Sequence, residues 1–475
     1  MVFSSPTFLF AFLPLVLLGL ALVRRRGFQN TWLLGMSALF YIWGAGAAVL
    51  VLLGVTLASF GLGFVPWDRL RARASQMPFR LALAGAIVLL LVPLLGFKYL
   101  PAIGRIVQAD AIAAIALPIG ISFFTFHAIS YVVDVATAKI PRERNVRDYA
   151  LYLFVFPHQI AGPIVRFAEI RDELTTGYRD AGTSQLGYGF ARFSWGLAKK
   201  ALVADPAGRL ADVIFAENAA MQISAADAWA GAFLYALQIY FDFSAYSDMA
   251  IGLALILGFH FPENFFQPYR SISVTDFWRR WHMTLTRWFR DYVYIPMGGN
   301  RHGRRREVLA LLTVFALTSL WHGAAITFAV WGALHAAMLL LERATGIRRT
   351  ERFAIARRIL MVVFLVVSWV PFRAASGDEL LRMWQAMFVP TSWLPGPSLL
   401  TGMTPFLMLA VVIGVVSLFG PRGTTGFAAV FGAISTRDLS GMRWRLAIPL
   451  TIGLFVVAVV AILWSDFSPF LYYQF

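Results

Sequence analysis

Long apolar runs recur along the whole 475-residue chain, and no other feature limits its possible folds so sharply. They fall near Phe8–Val23, Trp32–Gly44, Ala47–Phe64, Leu81–Leu100, Ala111–Val135, Trp229–Phe261, Val308–Leu341, Ile359–Phe372, Pro405–Phe419 and Leu446–Trp464. Shorter, more polar runs lie at Ala150–Val165 and Gly187–Val203. About 20 consecutive apolar residues is the length at which a helix crosses bilayer hydrocarbon. A membrane β-barrel would instead show short alternating segments. Only 14% of the residues are charged, against roughly 25% in soluble domains, and mean hydropathy is +0.69. The chain reads as an all-α polytopic membrane protein with about ten to twelve membrane segments. Several runs are too short to span ~30 Å at ~1.5 Å per residue, which makes them re-entrant or interfacial. Val308–Leu341 has length for two short helices or one long tilted one. The longest polar stretches, Pro141–Asp148, Arg171–Ser184 and Thr391–Thr404, are loop-sized, and no inverted repeat is evident.

The first run is followed by Arg24-Arg25-Arg26. A cleaved signal peptide carries its basic residues before the apolar stretch, so this run reads as a retained helix with its N-terminus outside. The net charge of +16 invites a nucleic-acid reading. The basic residues, however, gather at run ends, as at Arg69/Arg71/Arg73, Arg301–Arg306, Arg348/Arg349 and Arg357/Arg358. Topology and anionic lipid headgroups account for that placement, and nucleic acid is set aside. Cysteine is absent, which removes disulfides, thiolate nucleophiles and Cys-based metal sites.

Polar residues concentrate in the central runs. Pro118 and Gly120 interrupt a span that continues with His127 and Asp134; FPHQIAGPIVRF places His158 and Gln159 beside a Gly-Pro break. YFDFSAYSDMAIGLALILG carries Asp242, Ser244, Ser247 and Asp248. At membrane depth such groups face a bundle interior or a wet cavity. Each also has a structural reading: Asp134 as the mark of a helix end, Asp242 and Asp248 as partners of nearby arginines. His158 and Gln159 are retained as candidate substrate-binding residues.

Asn264 to His322 is unlike either flank, a dense mixture of Arg, Trp and Tyr bounded by apolar runs. Ser273 followed by Asp276 fits a helix start, and the spacing predicts a helix from Phe277 to about Tyr294. Its four arginines (Arg279, Arg280, Arg287, Arg290) forbid a lipid-facing span, while its Phe and Trp content argues against free solvation; an interfacial or re-entrant helix satisfies both. His282 and Thr286 share one face of it. Ile295-Pro296-Met297-Gly298-Gly299-Asn300 ends it. His302 reads as a solvated loop residue, whereas His322, in Ser319-Leu320-Trp321-His322-Gly323, closes a mostly apolar stretch. Gly323 permits close backbone approach there.

DFWRRWHMTLTRWFRDYVYIPMGGNR followed by SLWHGAAITFAVWGALHA resembles the membrane-bound O-acyltransferase family, most closely its alginate O-acetyltransferase branch. LPIGISFFTFHAISYVVDV, FPHQIAGPIVRF and FDFSAYSDMAIGLALILGFHFPENFFQPYRS support the match, which covers Leu117 to Ala337. The turn Ile-Pro-Met-Gly-Gly-Asn-Arg favours this branch over the sister branch that serves D-alanylation of teichoic acid. The resemblance implies a helical shell in which a cytoplasmic funnel and an extracytoplasmic cavity meet. It divides one integral membrane domain into N-terminal helices (1–116), a catalytic core (117–341) and C-terminal helices (342–475). It puts the family's membrane histidine at His322 and its second polar position at His282. It also implies acyl transfer from a cytoplasmic thioester, acetyl-CoA or carrier-bound acetyl, to a hydroxyl beyond the bacterial inner membrane. Periplasmic acetyltransferase partners would then modify the polysaccharide.

The chemistry fits these residues. Acyl transfer to a hydroxyl needs a base, and histidine serves near neutral pH. His322 fills that role; a transient acyl-histidine is the less simple route. His282 would position the thioester or polarise its carbonyl. Trp281, Trp321 and Asn300 are candidate oxyanion donors. Arg279, Arg290 and Arg301–Arg306 suit CoA phosphates, and equally suit lipid headgroups. No G-x-S-x-G elbow and no H-E-x-x-H pattern is present, so serine hydrolysis and a resident metal are not expected. A transporter would spread ion-coupling acids through both halves, and a non-catalytic scaffold would tolerate loss of both histidines.

Overall fold

A computed structural model of the chain describes residues 1–22, 25–176, 182–220, 223–346, 353–418, 425–432, 443–464 and 470. Val23, Arg24, Arg348, Arg349 and Phe419 lie outside the described residues. Within them the secondary structure is helical, with no strand. Six described helices are long and apolar enough to cross a bilayer: Gly27–Leu62, Met77–Ile106, Ala225–Ile256, Ile326–Thr345, Ala354–Arg373 and Trp444–Trp464. Three shorter apolar helices accompany them, Phe8–Leu22, Ile121–Ala136 and Pro405–Leu418. In Met77–Ile106 and Trp444–Trp464 only 17% of the most apolar window is buried by protein. Leu81, Val88, Val92, Ile448 and Val456 are consequently exposed. Apolar surface on this scale needs lipid against it, and the chain is a multi-pass membrane protein.

The chain divides into two compact units, Met1–Phe193 with Met249–Pro262, and Ser194–Asp248 with Glu263–Phe475. Aromatic rings fill the core of the first. Phe3, Phe8, Phe40 and Phe156 pack with ring centres 5.1 to 6.3 Å apart, the spacing of favourable tilted and edge-on pairs. The break at Pro118 and Gly120 is real, and the helix restarts at Ile121 and ends at Ala136. Gly120 has a φ of +76°, and a Cβ there would lie 2.3 Å from the carbonyl oxygen of Gln159. Only glycine allows both the turn and that approach. Asp134 does mark the helix end, paired with Lys139 at 3.2 Å.

In the second unit the Ala225–Ile256 helix, which enters the first at Met249, is an interior element: 94% of its most apolar window is buried. Two of its acids, Asp242 and Asp248, are answered by lysines. Lys200 Nζ sits 2.8 Å from Asp242 and 2.6 Å from Asp205, and Lys199 Nζ sits 2.8 Å from Asp248. Pairing keeps each charge from being buried alone.

Val308–Leu341 resolves into two helices, Arg304–His322 and Ile326–Thr345, joined through Gly323. They approach closely at Gly332, where a Cβ would lie 1.9 Å from Ser319 Oγ. Small residues at such crossings let membrane helices close up. Ala354–Arg373 packs beside them and contains Pro371. A proline has no N–H for the carbonyl four residues back, and Trp384 Nε1 donates to that carbonyl, Val367 O, at 3.4 Å.

The single helix expected from Phe277 to Tyr294 is interrupted. Its start is as read, with Ser273 Oγ accepting from the Asp276 amide at 3.0 Å. Val274–Trp278 and Met283–Phe289 are α-helical and Arg290–Tyr294 is π-helical, but His282 between them adopts φ 42° and ψ 53°. A continuous helix would bond the amides of Met283 and Thr284 to the carbonyls of Arg279 and Arg280. Instead the Met283 N–H donates to Asn264 O at 2.9 Å, and Arg280 O accepts from the Phe266 N–H at 2.8 Å. The Thr284 N–H turns to Asn264 Oδ1 at 3.3 Å. Residues 264–266 thus capture the helix's hydrogen bonds and turn the chain at His282.

Candidate active site

That turn brings His282 to a cavity it shares with His322, although the two are far apart in sequence. Trp278, Trp281, Trp331 and Trp369 are among the lining residues. Three helices cage His322 with aromatic rings. Trp321 precedes it at a ring-centre distance of 4.5 Å; Phe328 and Trp331 from Ile326–Thr345 lie at 5.9 and 5.2 Å; Phe372 from Ala354–Arg373 lies at 4.7 Å. Gly323 has a definite task in this cage, because a Cβ on it would meet the Phe328 ring at 2.7 Å. Rings of this kind exclude water and strengthen electrostatic interactions inside the site.

His282 is held differently. Its Nδ1 lies 3.1 Å from Asn264 Oδ1, an oxygen also reached by Thr284 Oγ1 at 2.9 Å. Asn264 Nδ2 in turn donates to Ser247 Oγ at 3.0 Å. The edge of Phe243 meets the His282 ring at 4.7 Å, and Trp321 lies 6.4 Å from it. Burial lowers the His282 imidazole to about 3, so the ring is neutral at physiological pH.

Of the sequence candidates, His282, His322 and Trp281 line the cavity, and Trp321 packs against both histidines without being one of its lining residues. Arg279, Arg290 and Asn300 are exposed, as is His302, and none of them lines the cavity. Arg290 pairs with its neighbour Asp291 at 2.6 Å. His158 and Gln159 belong to the first unit. There the His158 Nε2–H donates to Tyr152 O at 2.7 Å, and the ring stacks on Phe261 at 5.1 Å and lies 4.4 Å from His127. His158 and Gln159 are fully buried, and among the described residues neither the Gln159 side-chain amide nor the His127 ring finds a hydrogen-bond partner.

Several contributors were not legible as site residues. Asn264 is marked in the sequence only as the first residue of the Arg/Trp block. Phe328, Trp331, Trp369 and Phe372 looked like ordinary span residues. Glu342 accepts from the amides of Val274 and Thr275 and from Thr275 Oγ1 at 2.8 Å. It anchors the first turn of the Arg/Trp block from a distant helix, as carboxylates do at helix starts.

Fold and site together describe a multi-pass helical membrane protein with two buried histidines on one aromatic-walled cavity. The chain matches MBOAT, the membrane-bound O-acyltransferase family, over residues 114–372. It belongs to that family and is a membrane O-acyltransferase. It is 37% identical to the probable alginate O-acetylase AlgI of Pseudomonas putida, with all of both chains covered. It is 41% identical to the protein of that name in Pseudomonas aeruginosa, over 83% of this chain and 76% of the relative. The peptidoglycan O-acetyltransferase of Helicobacter pylori is 32% identical over 82% and 80%. The family match takes in Trp369 and Phe372 as well as the motif-bearing core. With acyl transfer established, the transporter and scaffold readings fall away.

Proposed function

We propose that this enzyme carries an acetyl group from a cytoplasmic thioester to a hydroxyl on the far side of the bacterial inner membrane, serving O-acetylation of an alginate-like exopolysaccharide. The carrying observation is the placement of His282 and His322 on one cavity in a chain colinear with alginate O-acetylases. His322 removes the proton from the attacking hydroxyl as its oxygen bonds to the thioester carbonyl carbon. The tetrahedral oxyanion is met by the indole N–H groups of Trp281 and Trp321. The C–S bond then breaks, and the imidazolium of His322 returns its proton to the thiolate. General base catalysis of this kind is worth about 10²- to 10⁴-fold.

The donor is acetyl-CoA or a carrier-bound acetyl group. Exposed Arg279, Arg290 and Arg301–Arg306 offer guanidinium groups to its phosphates, and the same chemistry serves lipid phosphate. On the far side the acetyl passes to periplasmic acetyltransferase partners. Vesicles reconstituted with the protein and given radiolabelled acetyl-CoA on the cytoplasmic face test this. Label should reach an acceptor hydroxyl on the opposite face. Transfer only to acceptors on the donor's own side would refute the transmembrane step.

A further inference from the structure

We infer that Asn264 is a positioning residue that fixes His282 as the tautomer protonated on Nδ1, leaving Nε2 as the ring's basic nitrogen. The inference rests on the reading of the shared cavity as the reaction site. It starts from the Thr284 amide, which can only donate. The Asn264 side-chain atom 3.3 Å from that amide must therefore be the oxygen. His282 Nδ1 lies 3.1 Å from this same oxygen. An amide oxygen cannot donate, so Nδ1 carries the hydrogen. The opposite end of the amide agrees, since its NH₂ faces Ser247 Oγ at 3.0 Å. A flipped amide would set NH₂ against the Thr284 N–H and leave that buried donor without its acceptor.

The backbone reinforces the side chain. His282 occupies the left-handed region at φ 42°, a backbone conformation strained for a non-glycine residue. The Met283 N–H bond to Asn264 O, at 2.9 Å, holds the chain there immediately after the histidine. One residue thus sets both where the ring sits and which nitrogen is protonated. Asn264 and His282 are each 1% exposed, so water does not compete for either contact. A neutral ring of this tautomer accepts a hydrogen bond at Nε2 and has no proton to give there. Of the two roles open to His282, polarising the thioester carbonyl by donation is thereby closed. Accepting from a substrate N–H or O–H is the role that remains.

Nitrogen NMR of the full-length protein in lipid nanodiscs, selectively labelled with ¹⁵N-histidine, reads the tautomer directly. The His282 resonance is identified by its loss in His282→Gln. At neutral pH it should show a protonated Nδ1 and a bare Nε2. Asn264→Asp, which keeps an oxygen acceptor, should preserve the pattern and most of the activity. Asn264→Leu should release the tautomer and lower kcat by about 10- to 100-fold, the scale seen when a partner orienting a metal-bound histidine is lost, with thioester KM within about twofold. A wild-type proton on Nε2, or an unchanged tautomer in folded Asn264→Leu, overturns the inference. Should Asn264→Leu fail to fold, the wild-type spectrum still decides. If the spectrum is as inferred but His282→Gln transfers acyl groups at full rate, the hold of Asn264 stands and the proposed role of the cavity falls.

Discussion

The indole of Trp321 lies against the imidazole of His322, with ring centres 4.5 Å apart and planes tilted by 59°. The same indole is 6.4 Å from His282, so one ring contacts both histidines of the cavity. Trp321→Phe keeps an apolar wall and removes the N–H. If that N–H meets the oxyanion, acetyl transfer should fall about 10²- to 10³-fold at an unchanged membrane level. Activity within a fewfold of wild type would leave Trp321 a packing role against the two histidines.

Gly323 tests the cage from its other side. In Gly323→Ala the new Cβ would lie 2.7 Å from a Phe328 ring carbon, forcing that ring away from its stack on His322. Misplacement near 1 Å at a reacting group costs about 10²-fold, and activity should drop on that order while the protein stays folded. Adding Phe328→Leu should restore part of the loss. Full activity in Gly323→Ala would show that the Phe328 stack does not matter.

How much of this was legible in the sequence follows from the range of each interaction. Helices such as Met77–Ile106 and Trp444–Trp464 declare themselves because apolar length is a local property, and the Ser273 cap is local too. The two histidines and their neighbouring tryptophans stood out by motif. The break at His282 did not, because its cause is the segment 264–266, whose backbone competes for the helix's hydrogen bonds. Nor did the cage, since Phe328, Trp331 and Phe372 become special only when three helices meet around His322. Asp242 and Asp248 read as charge-paired acids, and the pairing with Lys200 and Lys199 is fixed by helix packing and not by sequence spacing.

The crossing at Gly332 predicts a compensated pair. Gly332→Ala sets a Cβ 1.9 Å from Ser319 Oγ, an overpacking that should destabilise by about 1–3 kcal/mol. Ser319→Ala in the same chain removes the clashing oxygen and should recover most of it. Thermal unfolding in detergent checks the pair; equal midpoints for single and double variants would contradict the close approach.

Lys200 is buried between Asp205 and Asp242. Lys200→Met leaves both carboxylates without that cation and should destabilise by about 3–5 kcal/mol. Lys200→Met with Asp205→Asn and Asp242→Asn should regain much of the stability, because the two carboxylates are removed together with their cation. A Lys200→Met protein as heat-stable as wild type would show that the lysine is dispensable.

The central claim is that His322 is the base for acyl transfer, and His322→Ala measures it most directly. With the variant at normal membrane level, acetyl ester on the host's secreted polysaccharide should fall at least about 10²-fold, with polymer yield unchanged. Acetylation retained near the wild-type level would contradict the account and move the chemistry to His282 or to a partner.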